Sequence, residues 1–171
     1  MENQLVFAAV REKGGRAVAG VLVLPWERRG DFHRRWRAMA PRRPTWKRVK
    51  KKTLAPMVGL VDAFLGRAWL SFRWRAGGRD QLAQLLLELD RGGTRRLRVA
   101  RDGELAAWLE RELVDENGIA LFGDVRSVDA AASPPIDLLA LLLAAMDAAA
   151  RQPKSRAKRR LSAHVGAALA S

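Results

Sequence analysis

Apolar residues recur along this chain with a period that switches several times, and each switch marks a predicted element. Leu5 to Val10 is a short apolar run, followed by a turn signal at Lys13-Gly14-Gly15. Ala17 to Leu24 is apolar at odd and even positions alike, the pattern of a central strand buried on both faces, and Pro25 ends it. The two runs predict a hairpin. Trp26, Phe32 or His33, Trp36 and Met39 then mark the apolar stripe of a basic helix over 26–39. Pro41 and Pro44 break the chain, and Trp46 to Lys52 reads as a basic connector.

Met57, Leu60, Val61 and Phe64 fall at helical spacing, which predicts a helix from Leu54 to Leu65. Trp69 to Trp74 alternates as a strand does, with Leu70, Phe72 and Trp74 on one side. Gly77-Gly78 turns into a helix over Arg79 to Leu89, and Arg96 to Ala100 is a further strand. A helix carrying Leu105, Trp108, Leu109 and Leu113 follows, then Asn117-Gly118 and a strand at Ile119 to Phe122, extending toward Val125. Ser133-Pro134-Pro135 opens a long helix to Ala150, with serine as cap and proline in the first turn. The order β-β-α-α-β-α-β-α-β-α predicts a mixed α/β layered domain over residues 1–150. Residues 151–171, basic and then alanine-rich with a loose helix open to the alanine-rich end, are expected as a tail that is flexible or ordered by a partner.

Composition narrows the chemistry. With 171 residues, 49% of them hydrophobic, the chain can bury one proper core. The absence of cysteine excludes disulfides, thiolate catalysis and cysteine-based zinc sites, and fits a cytoplasmic protein. Met1-Glu2-Asn3-Gln4 lacks the basic start of a secretory signal. Asp137 and Asp147 interrupt the longest apolar stretch, so it reads as a core helix and no membrane partner is expected. His33 and His164 are the only histidines and lie far apart, and glycine pairs fall at turns, so neither a histidine site nor a phosphate loop is predicted.

Charge changes the picture most. The chain carries +14, and residues 28–52 hold twelve Lys/Arg against one acid, Asp31. Surfaces tuned for solubility mix the two signs, whereas clustered Lys/Arg gains affinity for nucleic acid by releasing condensed counterions. The expected phosphate contacts are Arg28, Arg29, Arg34, Arg35, Arg37, Arg42, Arg43, Lys47, Arg48, Lys50, Lys51 and Lys52. Such contacts hold a backbone without reading its sequence. Arg156, Lys158, Arg159 and Arg160 in the tail offer a second arm. Trp69, Trp74 and Trp108 fit strand or helix patterns and are expected in the core, with Trp36 packing too. Trp46 is placed either to pack or to stack on a base, an interaction worth about 1–3 kcal/mol.

Four local stretches carry a resemblance: Ala19-Gly20-Val21-Leu22-Val23, Thr45-Trp46-Lys47, Arg98-Val99-Ala100-Arg101-Asp102, and Ser133-Pro134-Pro135-Ile136-Asp137-Leu138-Leu139-Ala140. In their order they resemble an uncharacterised bacterial RNase H-like family over residues 5–150, whose members open with an Asp-Glu-Ser-Gly motif on the first strand. The resemblance implies an RNase H-like mixed sheet with helices on both faces. It also implies a site where several carboxylates converge on two divalent metals about 4 Å apart.

Here the acidic motif is missing, because the first strand reads Leu5-Val6-Phe7-Ala8-Ala9-Val10. Pro44 or Thr45 stands where the family has an acid before Trp46. Asp102 stands at a matching position, whereas Asp137 does so only with a gap, the ungapped register placing Asp137 on the family's Gln and Ala140 on its Asp. These two are the candidate catalytic residues and metal ligands that the resemblance implies. Asp102 is equally placed to cap a helix from Gly103, and Asp137 to complement the dipole of its helix in the first turn. The expectation is therefore a catalytically degenerate protein that binds DNA or RNA, needs no cofactor, and joins other subunits in a nucleoprotein complex of a mobile element or defence system. Two alternatives stand beside it. One is an active nuclease in which Asp102 and Asp137 hold Mg²⁺ or Mn²⁺, with Glu12 or Glu104 filling in. The other is a structural protein docked on an acidic protein partner.

Overall fold

The Lys13-Gly14-Gly15 signal does produce a hairpin. β1 (Gln4–Lys13) and β2 (Arg16–Pro25) pair from Gln4 opposite Pro25 to Lys13 opposite Arg16. Gly14 and Gly15 both take positive φ, 59° and 74°, as the tight two-residue turn requires. This computed structural model describes residues 3–40, 44–89, 95–129 and 132–170. β3 (Ser71–Ala76) joins β2 antiparallel, β4 (Arg95–Ala100) lies parallel to β1, and β5 (Asp124–Val128) lies parallel to β4. The sheet order is β3-β2-β1-β4-β5, with β2 running against the other strands.

Strand alternation sorts the core into two layers. Leu5, Phe7, Ala9, Leu22 and Leu24 face α1 (Arg29–Met39), α2 (Leu54–Leu65), α5 (Pro134–Arg151) and α6 (Arg156–Ala170). Val6, Ala8, Ala19, Val21, Leu97 and Val99 face α3 (Arg79–Leu87) and α4 (Gly103–Glu112). α1 docks by Phe32 and Trp36, one turn apart, with Phe32 4.3 Å from the Phe64 ring of α2. α5 lies over β1 and β2. A Cβ at Gly20 would come within 2.5 Å of Leu143, so the helix sits as close to the sheet as glycine allows.

The structure departs from the sequence reading in three places. The segment after Arg151 forms α6, which buries Ala157, Leu161 and Val165 against α5 and α2 instead of trailing as a tail. Ser162 Oγ, also buried, donates to the Ala145 carbonyl at 2.6 Å and ties the helices together. The last strand is Asp124–Val128 and not Ile119–Phe122: Ile119 is 64% exposed, and Phe122 is buried from a loop beside α4. Trp74 is not core but 41% exposed, because β3 is an edge strand. Trp69 and Trp108 are half-buried against the core, and no described helix is long and apolar enough to cross a membrane.

Candidate nucleic-acid interface

Burying Phe32 and Trp36 turns the basic side of α1 outward. Arg29, Arg34 and Arg37 are exposed, and Arg35 is half-buried. Asp31 accepts from Arg28 at 3.1 Å and from Arg34. Those bonds, Arg28's first, hold the Asp31 carboxyl below its ordinary range. The one acid of the segment thus orients two of its arginines. Burial, and then the charge of Arg37, lowers the pKa of His33, so the imidazole on this helix favours its neutral form. Arg42 and Arg43 lie outside the described residues.

The connector is held at its two ends. A 3-10 turn at Trp46–Arg48 seats Val49 in the core, and Thr53 Oγ1 donates to the Arg48 carbonyl at 2.6 Å while accepting from the Lys50 N–H at 2.9 Å. Lys47, Arg48, Lys50, Lys51 and Lys52 are left exposed between these anchors. Trp46 packs against the apolar core, with Lys158 Nζ of α6 5.6 Å above its ring. That contact brings the second basic arm to the connector. Arg156 and Arg160 are exposed nearby in sequence, and Arg159 turns back onto the carbonyls of Pro153 and Lys154 at 2.9 and 2.7 Å.

α1, the connector and α6 all bury their apolar side chains in the same layer. Opposite, α3 and α4 carry Asp80, Glu104, Glu110 and Glu112 against Arg79 and Arg111. By register Arg73 and Arg75 of β3 turn to this second side as well, so the sheet separates a strongly cationic side from one of mixed charge.

Further arginines on the cationic side escaped the sequence reading. Trp26 carries both Arg29 and Arg96 over its ring, their guanidinium carbons 3.9 and 4.1 Å from its centre. By register, Arg96 and Arg98 of β4 point to the same face as Leu5 and Phe7. Only the alternation of Arg96-Leu97-Arg98-Val99 hinted at this.

The carboxylates tell a different story. Asp102 Oδ1 accepts from the Leu105 N–H at 2.9 Å and caps α4, whose apolar face packs on the far layer. Asp137 is buried near the start of α5. α5 runs beside β1 in the same sense: Leu143 meets Gly20, the partner of Ala9, then Asp147 meets Arg11, then Arg151 meets Lys13. β4 parallels β1 with Val99 opposite Ala8, so Asp102 sits level with Arg11. Asp137, ten residues before Asp147, is about 15 Å further down the helix axis and across the sheet. The structure does not bring Asp102 and Asp137 together.

Glu12 is exposed beside the hairpin turn, and Glu104 is exposed in the first turn of α4. Among the described residues no three His, Asp or Glu side chains converge as a metal site, so the donor set does not fit a two-metal centre. Capping is a sufficient role for Asp102. Asp102→Ala is expected to lower stability by about 1 kcal/mol, read as a small drop in the urea midpoint.

Asp147, which the sequence reading noted only as a break in the apolar stretch, has a side chain 5% exposed. It accepts from Arg151 Nε at 3.1 Å and faces Arg11 Nε at 3.6 Å, while Arg151 also donates to the Lys13 carbonyl. The buried carboxylate nearest the far end of β1 is thus engaged by two arginines. On α6, His164 Nε2 lies 2.6 Å from Asp62 Oδ1 of α2, a link that joins two helices. No protein-family model matches this chain, and no curated protein does.

Proposed function

We propose that this protein binds nucleic acid on its cationic layer without cutting it, as a catalytically degenerate RNase H-like subunit of a cytoplasmic nucleoprotein complex. The carrying observation is that basic stretches distant in sequence, Arg28–Arg37, Lys47–Lys52 and Arg156–Arg160, share one layer, with Lys158 over Trp46. The mixed sheet, with β2 alone reversed and helices on both faces, supports the RNase H-like reading. Separation of Asp102 from Asp137, and the engagement of Asp147 by two arginines, favour binding over hydrolysis.

Fluorescence anisotropy with labelled oligonucleotides over a salt series tests this. Affinity is expected to fall steeply with salt, and Lys50→Ala/Lys51→Ala/Lys52→Ala to reduce the log–log slope by about 2–3, near 0.7–0.9 per lost contact. Binding indifferent to salt would reject the reading. Incubation with Mg²⁺ or Mn²⁺ is expected to leave the oligonucleotide intact. Cleavage abolished by Asp102→Ala would instead establish the nuclease alternative.

A further inference from the structure

α5 covers β1 and β2, so on that same face β4 and β5 keep a polar surface. Arg96, Arg98, Gly123, Asp124 and Arg126 line a cleft of about 400 Å³ there. None of these belongs to the basic segments described above. We infer that this cleft seats the phosphates of a single nucleic-acid strand, as an extension of the proposed binding layer on which it rests.

Three features point to a phosphate chain. The first is spacing: Arg96 and Arg98 are alternate residues of β4, about 6.6 Å apart along the strand, a step comparable to that between neighbouring phosphates in an extended strand. Arg126 pairs opposite Arg98 on β5, so the three guanidiniums cover a short track and not one point.

The second is preorganisation. Arg96 and Arg29 both lie over the Trp26 ring, and a guanidinium held on a ring keeps its N–H edge available to an anion. Trp26 thus serves the cleft by holding two arginines. Asp124 fixes the other pair: it accepts from Arg98 Nη2 and from Arg126 Nε, each at 3.0 Å. Arg98 Nη1 also donates to the carbonyls of Leu97 and Asp124, at 3.1 and 3.4 Å. Partial desolvation would raise the Asp124 pKa, but the bonds from Arg126 and Arg98 outweigh it and keep the carboxylate ionised below its ordinary range. The cleft still carries three arginines against that one acid.

The third is size. A recess of this volume on a sheet face, with the side chain of Arg126 70% exposed at its outer edge, matches the bulk of one sugar-phosphate unit and is too small to take in the width of a duplex.

The test compares wild type, Arg96→Ala/Arg126→Ala and Arg96→Lys for binding to a labelled oligothymidylate and a duplex of equal length. Arg98 is left in place so that Asp124 keeps a partner, and urea midpoints confirm that each variant folds. Wild type is expected to prefer the single strand. The double variant should lose at least about tenfold in affinity for it, with a slope lower by about 1.4, twice 0.7. Arg96→Lys keeps the charge but not the guanidinium over Trp26, and should lose about threefold with its slope unchanged. A double variant that binds as wild type does, while the triple lysine variant is weakened, would overturn this site and leave the nucleic-acid reading standing. A wild-type preference for duplex would likewise overturn it. Failure of wild type to bind either probe would end both readings.

Discussion

Replacing Phe32 with alanine is expected to lower the unfolding free energy by about 4 kcal/mol, within the range for a buried phenylalanine truncated to a methyl group. Phe32 is fully buried where α1 meets α2, with its ring 4.3 Å from Phe64 and 6.1 Å from Trp36. Removing it costs the transfer energy of the ring and leaves a cavity that Trp36 and Phe64, 5.8 Å apart, fill only in part. Domains of this size are stable by about 5–15 kcal/mol, so a large share of the total is at stake. With a urea m-value of roughly 2 kcal/mol/M, the midpoint should fall by about 2 M. A shift below about 0.5 M would mean that α1 is not docked through this ring.

The second large effect is expected at Asp147. Arg11 Nε is buried without a hydrogen bond, and the charge it faces is Asp147 at 3.6 Å. Arg151 bonds the other carboxylate oxygen. Asp147→Ala would leave two cations close together in a poorly solvated place. Breaking a buried pair this way costs about 3–5 kcal/mol, and the side chains of Arg11 and Arg151, 26% and 28% exposed, put this case near the lower end. Asp147→Asn keeps the volume and should lose most of the same stability, which separates charge from cavity. Combining Asp147→Leu with Arg11→Met should recover much of the loss. A single alanine variant with an unshifted urea midpoint would show that water already screens the arginines.

Where the sequence pattern was strong, the fold could be read from it. Met57, Leu60, Val61 and Phe64 set α2 to the residues observed, and the doubly apolar Ala17–Leu24 run is central strand β2. The final strand was misplaced because Asp124-Val125-Arg126-Ser127-Val128 is an edge strand whose outward face carries ions, so an apolar loop beside it looked more strand-like. α6 was obscured by its lysines and arginines, although Ala157, Leu161, Val165 and Leu169 recur every four residues. Site residues were legible where charge is locally dense, as at Lys47–Lys52. Arg96 against Trp26, Arg11 against Asp147, and His164 against Asp62 are pairings that only the folded chain creates. The cap formed by Asp102 was one of two readings open from sequence, and its bond to the Leu105 N–H favours that one.

The sheet that parts lysine- and arginine-rich helices from acid-rich ones also gives the molecule a permanent dipole through its thickness. A long polyanion nearby would turn the protein before touching it, so that encounters begin in one orientation. Such guidance reaches only about one Debye length, near 8 Å at physiological ionic strength, and encounter rates should rise as salt is diluted. With the basic segments gathered on one side of the sheet, a captured polymer would stay on a single flank and leave the opposite flank open to neighbouring subunits.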